Sequence, residues 1–127
     1  MKVLLDTHAF LWFIWADPRL SQPARQAIED ASECFLSTVS LWEMCIKVSV
    51  GKLTVIQPFE LLVQEHVTNN GFELLTTSVA HLDVLAGLEM HHRDPFDRLL
   101  IAQTIHEGAT LVSTDSKFGP YNVNVLW

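Results

Sequence analysis

Apolar residues along the chain fall into two alternating kinds of segment: short unbroken runs of strand length, and longer stretches spaced at helical period. Lys2–Leu5 is the first short run and stops at Asp6, after which residues 7–16 predict a helix. Ser21 caps a second helix reaching about residue 31, with acidic residues at its far, unfavourable end. Residues 34–37 are a second strand, and Ser40-Leu41-Trp42-Glu43 has the form of a capping box opening a helix that stops near Gly51. Pro58 starts another helix that ends around Asn70-Gly71, residues 72–75 are a third strand, and Val79, Leu82, Leu85 and Ala86 mark one face of a helix over 78–89. Asp94 is placed as an N-cap, Pro95 as the first helical residue, 99–105 as the helix body and Gly108 as its stop; 110–113 and 122–126 are the last two strands. Strands separated by helices require crossover connections. The expected fold is therefore α/β, a three-layer α/β/α sandwich around a central, mostly parallel sheet.

A chain of 127 residues, 49% apolar and 18% charged, is expected to form a single domain, 1–127, with a core large enough to stand without staples. Cys34 and Cys45 form no CxxC and no ligand cluster, so both are expected to be buried free thiols in a reducing compartment. The longest apolar run near the start, residues 9–16, is eight residues against the roughly 20 needed to span a bilayer. Asp6 and His8 also interrupt what a signal peptide would need. No membrane association and a cytoplasmic location are expected. Eight Lys and Arg against fifteen Asp and Glu give a net charge of -7, which argues against a broad phosphate-binding surface but leaves room for a metal site that reverses the local sign.

In an open parallel sheet, ligands bind beyond the carboxyl ends of the strands. Asp6 follows the first strand directly, Asp115 follows the fourth within two residues, and Glu43 and Asp97 fall in first turns of helices expected to start at that edge. Four converging carboxylates oppose one another's ionisation unless a counterion is present. A hard divalent cation resolves the conflict, and phosphodiester hydrolysis is the chemistry it implies. Each acid also has a plainer reading. Glu43 completes the capping box or pairs with Lys47, Asp97 complements the helix dipole, and Asp115 is a turn residue. Asp6 is hardest to dismiss, because a carboxylate ending a buried strand needs a partner. His91-His92 reads as solvated loop, and His8 as orienting the site or merely packing.

Asp6-Thr7-His8 after an apolar start, Ser40-Leu41-Trp42-Glu43, His92-Arg93-Asp94-Pro95-Phe96-Asp97-Arg98 and Leu111-Val112-Ser113-Thr114-Asp115, in that order, resemble the PIN-domain ribonucleases, in particular toxins of the VapC type. The resemblance implies a Mg²⁺-dependent endoribonuclease (Mn²⁺ as an alternative ion) acting on structured RNA and restrained by a cognate antitoxin protein. It implies Asp6, Glu43 and Asp97 as the principal acidic positions, Asp115 as the variable fourth, Ser113 as a hydroxyl supporting them, and Asp94 as a cap first. Lys47, Lys52, Arg93, Arg98 and Lys117 are the candidate RNA contacts. Residues 9–16 are apolar all round, and with a mean hydropathy of +0.22 a covering partner is expected: a homodimer, an antitoxin helix, or both. Two other classes stay open. A receiver-type signalling domain would want paired acids after the first strand and a Lys after the last, and a noncatalytic α/β interaction module would gain nothing from clustered acids.

Overall fold

The computed structural model describes residues 1–127, apart from the side chain of Ser116. Five strands, β1 (Lys2–Leu5), β2 (Glu33–Ser37), β3 (Glu73–Leu75), β4 (Thr110–Val112) and β5 (Asn124–Leu126), form one sheet in the order β3-β2-β1-β4-β5. Every neighbouring pair is parallel, with Leu4 opposite Phe35 on one side and Leu111 on the other. Alternate residues of each strand feed different layers. Val3, Leu5, Cys34, Leu36 and Val112 join a core with Phe10, Leu11, Ala24 and Ile28, while Leu4, Phe35 and Leu111 join a second with Leu100, Ile101 and Phe118. The expected three-layer sandwich is thus what the apolar alternation builds.

The helices are α1 (Thr7–Ile14), α2 (Gln22–Asp30), α3 (Thr38–Ser49), α4 (Phe59–Val63, continuing as a π-helical turn, Gln64–Thr68), α5 (Val79–Ala86) and α6 (Pro95–Glu107). Ser21 and Asp94 cap α2 and α6 as expected, Asp94 accepting from the amides of Phe96 and Asp97, and Gly108 closes α6 in the left-handed region at φ 64°. The start of α3 differs. Its cap is Ser37, whose hydroxyl accepts from the Val39 amide, so Ser40-Leu41-Trp42-Glu43 is not a capping box and Glu43 lies in the second turn. β2 runs straight into the helix and leaves no room for a later cap.

α1 ends at Ile14 with the Ala16 amide bonded to Phe13 O and the Asp17 amide to Trp12 O, a Schellman closure that puts Ala16 at φ 51°. Trp12 and Phe13 are half-buried, and Trp12 meets Trp127 edge-on at 5.7 Å, so the apolar helix is better covered than its sequence suggests; Trp15 is 48% exposed. Of the two thiols only Cys34 is buried, and burial pushes it up to about 12; Cys45 is exposed. Among the described residues no helix is long and apolar enough to cross a membrane.

Candidate active site

The chain leaves β1 to build β2 and β3 on one side, then returns to place β4 and β5 on the other, so the direction of winding switches between β1 and β4. Such a switch opens a crevice at the carboxyl ends of the two central strands. Asp6 stands at the end of β1 and caps α1, its Oδ1 accepting from the Ala9 amide at 2.7 Å. Asp115 lies three residues beyond β4, in a turn where its amide donates to Ser113 Oγ at 3.0 Å and its Oδ1 accepts from the Lys117 amide at 2.9 Å. Asp97 occupies the third position of α6, and Glu43 reaches in from α3. All four line one cavity of about 240 Å³, together with Thr7, His8 and Lys47.

The acids feel one another. Burial, then the charge of Asp94, pushes the Asp97 carboxyl up to about 6; Glu43 and Asp115 push the same way and His92 opposes. Burial also raises Asp6, while the Ser113 hydroxyl and the Ala9 amide pull it back. One lysine against four carboxylates leaves the site short of positive charge. The Thr7 hydroxyl is buried without a hydrogen-bond partner. An all-oxygen donor set with excess negative charge fits a hard divalent cation such as Mg²⁺ or Mn²⁺. Asp6, Glu43, Asp97 and Asp115, which line the cavity, are the residues that could hold it.

Of the candidate RNA contacts, Lys47 lines the cavity, while Lys52 lies in an adjoining groove with Arg19, Trp12 and Trp15. Arg93 and Lys117 are exposed. Arg98 has a different occupation: its guanidinium donates to the carbonyls of Leu88 and Glu89 and to the Tyr121 hydroxyl, so it holds a loop rather than offering a free charge to phosphate.

The sequence pattern puts His92 in a solvated loop, whereas the structure buries it against Asp97. Its side chain is 9% exposed and Nε2 lies 2.9 Å from Asp97 Oδ2, yet the oxygen sits off the N–H direction and Nε2 has no hydrogen-bond partner. Nitrogen and oxygen atoms of His92, Asp97 and Asp115 all fall within 4.8 Å of one another. The local signal is weak: a histidine two residues before an N-cap.

The PIN domain profile matches residues 3–122. The chain is 35% identical over 118 residues to Ribonuclease VapC22 of Mycobacterium tuberculosis, covering 91% of this chain and 88% of that protein. Among solved structures, VapBC2 from Rickettsia felis bound to a DNA fragment from its promoter superposes with a TM-score of 0.73 at 17% identity, over 100% of this chain and 99% of that one. DNA-bound VapBC from Salmonella typhimurium gives 0.73 at 16%, over 99% and 97%. FitAcB from Neisseria gonorrhoeae gives 0.69 at 15%, over 98% and 96%.

Proposed function

Because the chain belongs to the PIN domain family and gathers four carboxylates into one cavity, we propose that it is a metal-dependent endoribonuclease, the toxin of a toxin-antitoxin pair. The convergence of Asp6, Glu43, Asp97 and Asp115 at the switch between β1 and β4 carries this reading, and it also weighs against a noncatalytic module. Glu43 inside α3 and a lone Asp6 after β1 likewise fit a receiver-type domain poorly. When bound, Mg²⁺, or Mn²⁺ in its place, supplies electrophilic polarisation of the phosphodiester and a water of lowered pKa.

The chain's own residues set the stage. Asp6 lines the cavity with its carboxylate fixed through Oδ1 by the Ala9 amide. Asp97, raised to about 6, holds a proton at its carboxylate for part of the time near neutrality and gives it up when positive charge enters. Lys47 lines the same cavity, which supports a contact with the substrate phosphate. With few basic groups at the rim, affinity for RNA rests on few phosphate contacts, and recognition on exposed loops and shape.

An apolar groove runs beside this cavity. Trp15 lines both of its sections, one with Leu11, Ile14, Val55 and Leu62, the other with Lys47 and Lys52. Lys47 thus belongs to groove and cavity alike, which supports an amphipathic antitoxin helix lying along α1 and ending at the carboxylates. Elsewhere, Trp42 (60% exposed) and Ile46 on α3, with Val50 just past its end, form an outward stripe, and Val79 and Leu82 face outward on α5, surfaces that a homodimer would cover. We place the protein in the cytoplasm. Incubation of total RNA with purified protein tests the activity: cleavage is expected in Mg²⁺ or Mn²⁺ and none in excess EDTA, and full cleavage in chelator refutes the metal-dependent reading.

A further inference from the structure

The segment between α5 and α6 carries no regular structure, yet it is pinned at several points. The Tyr121 hydroxyl receives the amides of His91 at 3.0 Å and His92 at 2.8 Å, and Nη1 of Arg98 at 3.2 Å. Arg98 also donates from Nη1 to Glu89 O at 2.9 Å and from Nη2 to Leu88 O at 3.3 Å, while the His91 ring meets the Tyr121 ring edge-on at 5.1 Å. Tyr121 is itself 6% exposed, its ring seated in the core beneath α6. What this clamp delivers is His92, whose Nε2 stops 2.9 Å from Asp97 Oδ2.

His92 Nδ1 accepts from the Asp94 amide at 3.2 Å. A neutral ring whose Nδ1 is an acceptor carries its proton on Nε2. The nitrogen 2.9 Å from Asp97 Oδ2 is therefore the proton-bearing one and offers no lone pair, although its N–H points aside and makes no hydrogen bond to that oxygen. Proximity to Asp97 and Asp115 does not make His92 a metal ligand; a ligating imidazole needs the opposite arrangement, with Nδ1–H donating outward.

We infer that Tyr121 and Arg98 are positioning residues for the proposed metal site: they fix the 88–92 segment so that the proton-bearing Nε2 of His92 packs against Asp97 Oδ2 and restricts the orientation of that carboxylate. The inference rests on the metal-dependent reading proposed above and adds to it three residues outside the acidic set. Tyr121 is 24 positions from Asp97 in sequence and touches none of the four carboxylates in the hydrogen-bond network.

Mn²⁺ titration of the full chain, followed by the EPR signal of the free ion, tests it. Tyr121→Phe removes one oxygen and keeps the ring, and is expected to weaken Mn²⁺ binding about threefold or more. His92→Phe is expected to weaken it about tenfold, the lower range for partners of metal ligands, and His92→Gln, which restores an N–H, to recover most of the loss. If Tyr121 acts through His92, the double variant Tyr121→Phe/His92→Phe binds no more weakly than His92→Phe alone. A Tyr121→Phe protein that melts lower but binds Mn²⁺ like the wild type, or fully additive losses in the double variant, overturns the inference. A wild-type chain that binds no Mn²⁺ at all instead refutes the metal-dependent reading beneath it.

Discussion

Replacing Asp97 with Asn should make the metal-free protein more stable at neutral pH, against the usual direction for a polar residue in a helix start. The folded carboxyl stands at about 6 against an ordinary 3.8, with burial as the main cause and Asp94 next. A folded pKa above the unfolded one means that the native state binds the proton more tightly, so the penalty is absent below about pH 4, grows through the window up to about 6 and is complete above it. Ionising a carboxyl held that far above its ordinary value costs about 3 kcal/mol, and partial solvent screening of a side chain that is 20% exposed brings this to about 1–2 kcal/mol. Asn also forgoes the favourable charge–dipole contact of an acid at the third helical position, about 0.3–1 kcal/mol. The expected net gain at pH 7.5 in EDTA is about 1 kcal/mol, roughly 3–6 °C in Tm for a domain of this size. Urea unfolding followed by circular dichroism, at pH 4.5 and 7.5 with EDTA, measures it, and the gain should vanish at the lower pH. In Mg²⁺ the order should reverse, because only the wild type draws the full ligand stabilisation, about 2.7 kcal/mol at 100 times Kd. An Asn variant less stable than wild type at pH 7.5, or a gain that does not change with pH, would show that Asp97 is held as a helix-start residue and not strained by its neighbours.

Three further outcomes are expected. Asp6→Asn, which keeps the cap on α1, should abolish RNA cleavage while shifting stability by less than about 1 kcal/mol, whereas Asp6→Ala also loses the cap at a cost of about 1 kcal/mol; exposed Glu29→Ala should change neither, as gel assays and thermal melts will tell. Trp15→Ala should weaken binding to a co-expressed antitoxin by about 2 kcal/mol, judged by calorimetry, with a smaller loss of fold stability; unchanged affinity beside a large fall in Tm would make Trp15 core. Ala16→Gly relieves a left-handed residue and should raise unfolding free energy by about 1 kcal/mol in urea titrations.

Elements whose signals are local are legible from the sequence. Asp94, Pro95 and Gly108 bound α6 because cap, fixed φ and left-handed stop all act within a few residues. Ser40 and Glu43 look equally convincing as a cap, but Ser37 already holds that place at the end of β2, a fact set by strand pairing with β1. In α5 the apolar spacing reveals the helix and points to the wrong face. The buried residue is His81, bonded to Glu107 at 3.0 Å and to the Ser78 amide, while Val79 is 75% exposed. Hydropathy has no way to see a polar anchor that is satisfied by a residue 26 positions away. Asp6, Asp97 and Asp115 are legible as candidates because they follow strand ends or open a helix, and Glu43 reaches the same cavity from the second turn of α3, whereas His92 is held at its amide by Tyr121, which only the folded chain brings near.

The winding switch between β1 and β4 has a consequence for synthesis. Asp6 and Glu43 come from the first half of the chain, Asp97 and Asp115 from its last third, and β4 must dock on β1 before they share a cavity. At about 5–20 residues per second, a ribosome takes roughly 5 to 20 s to travel from Asp6 to Asp115. Throughout that interval the nascent polypeptide carries only part of the proposed carboxylate set, so a nuclease built this way stays harmless to the ribosome and messenger that are making it until Asp115 has been added and β4 has docked on β1.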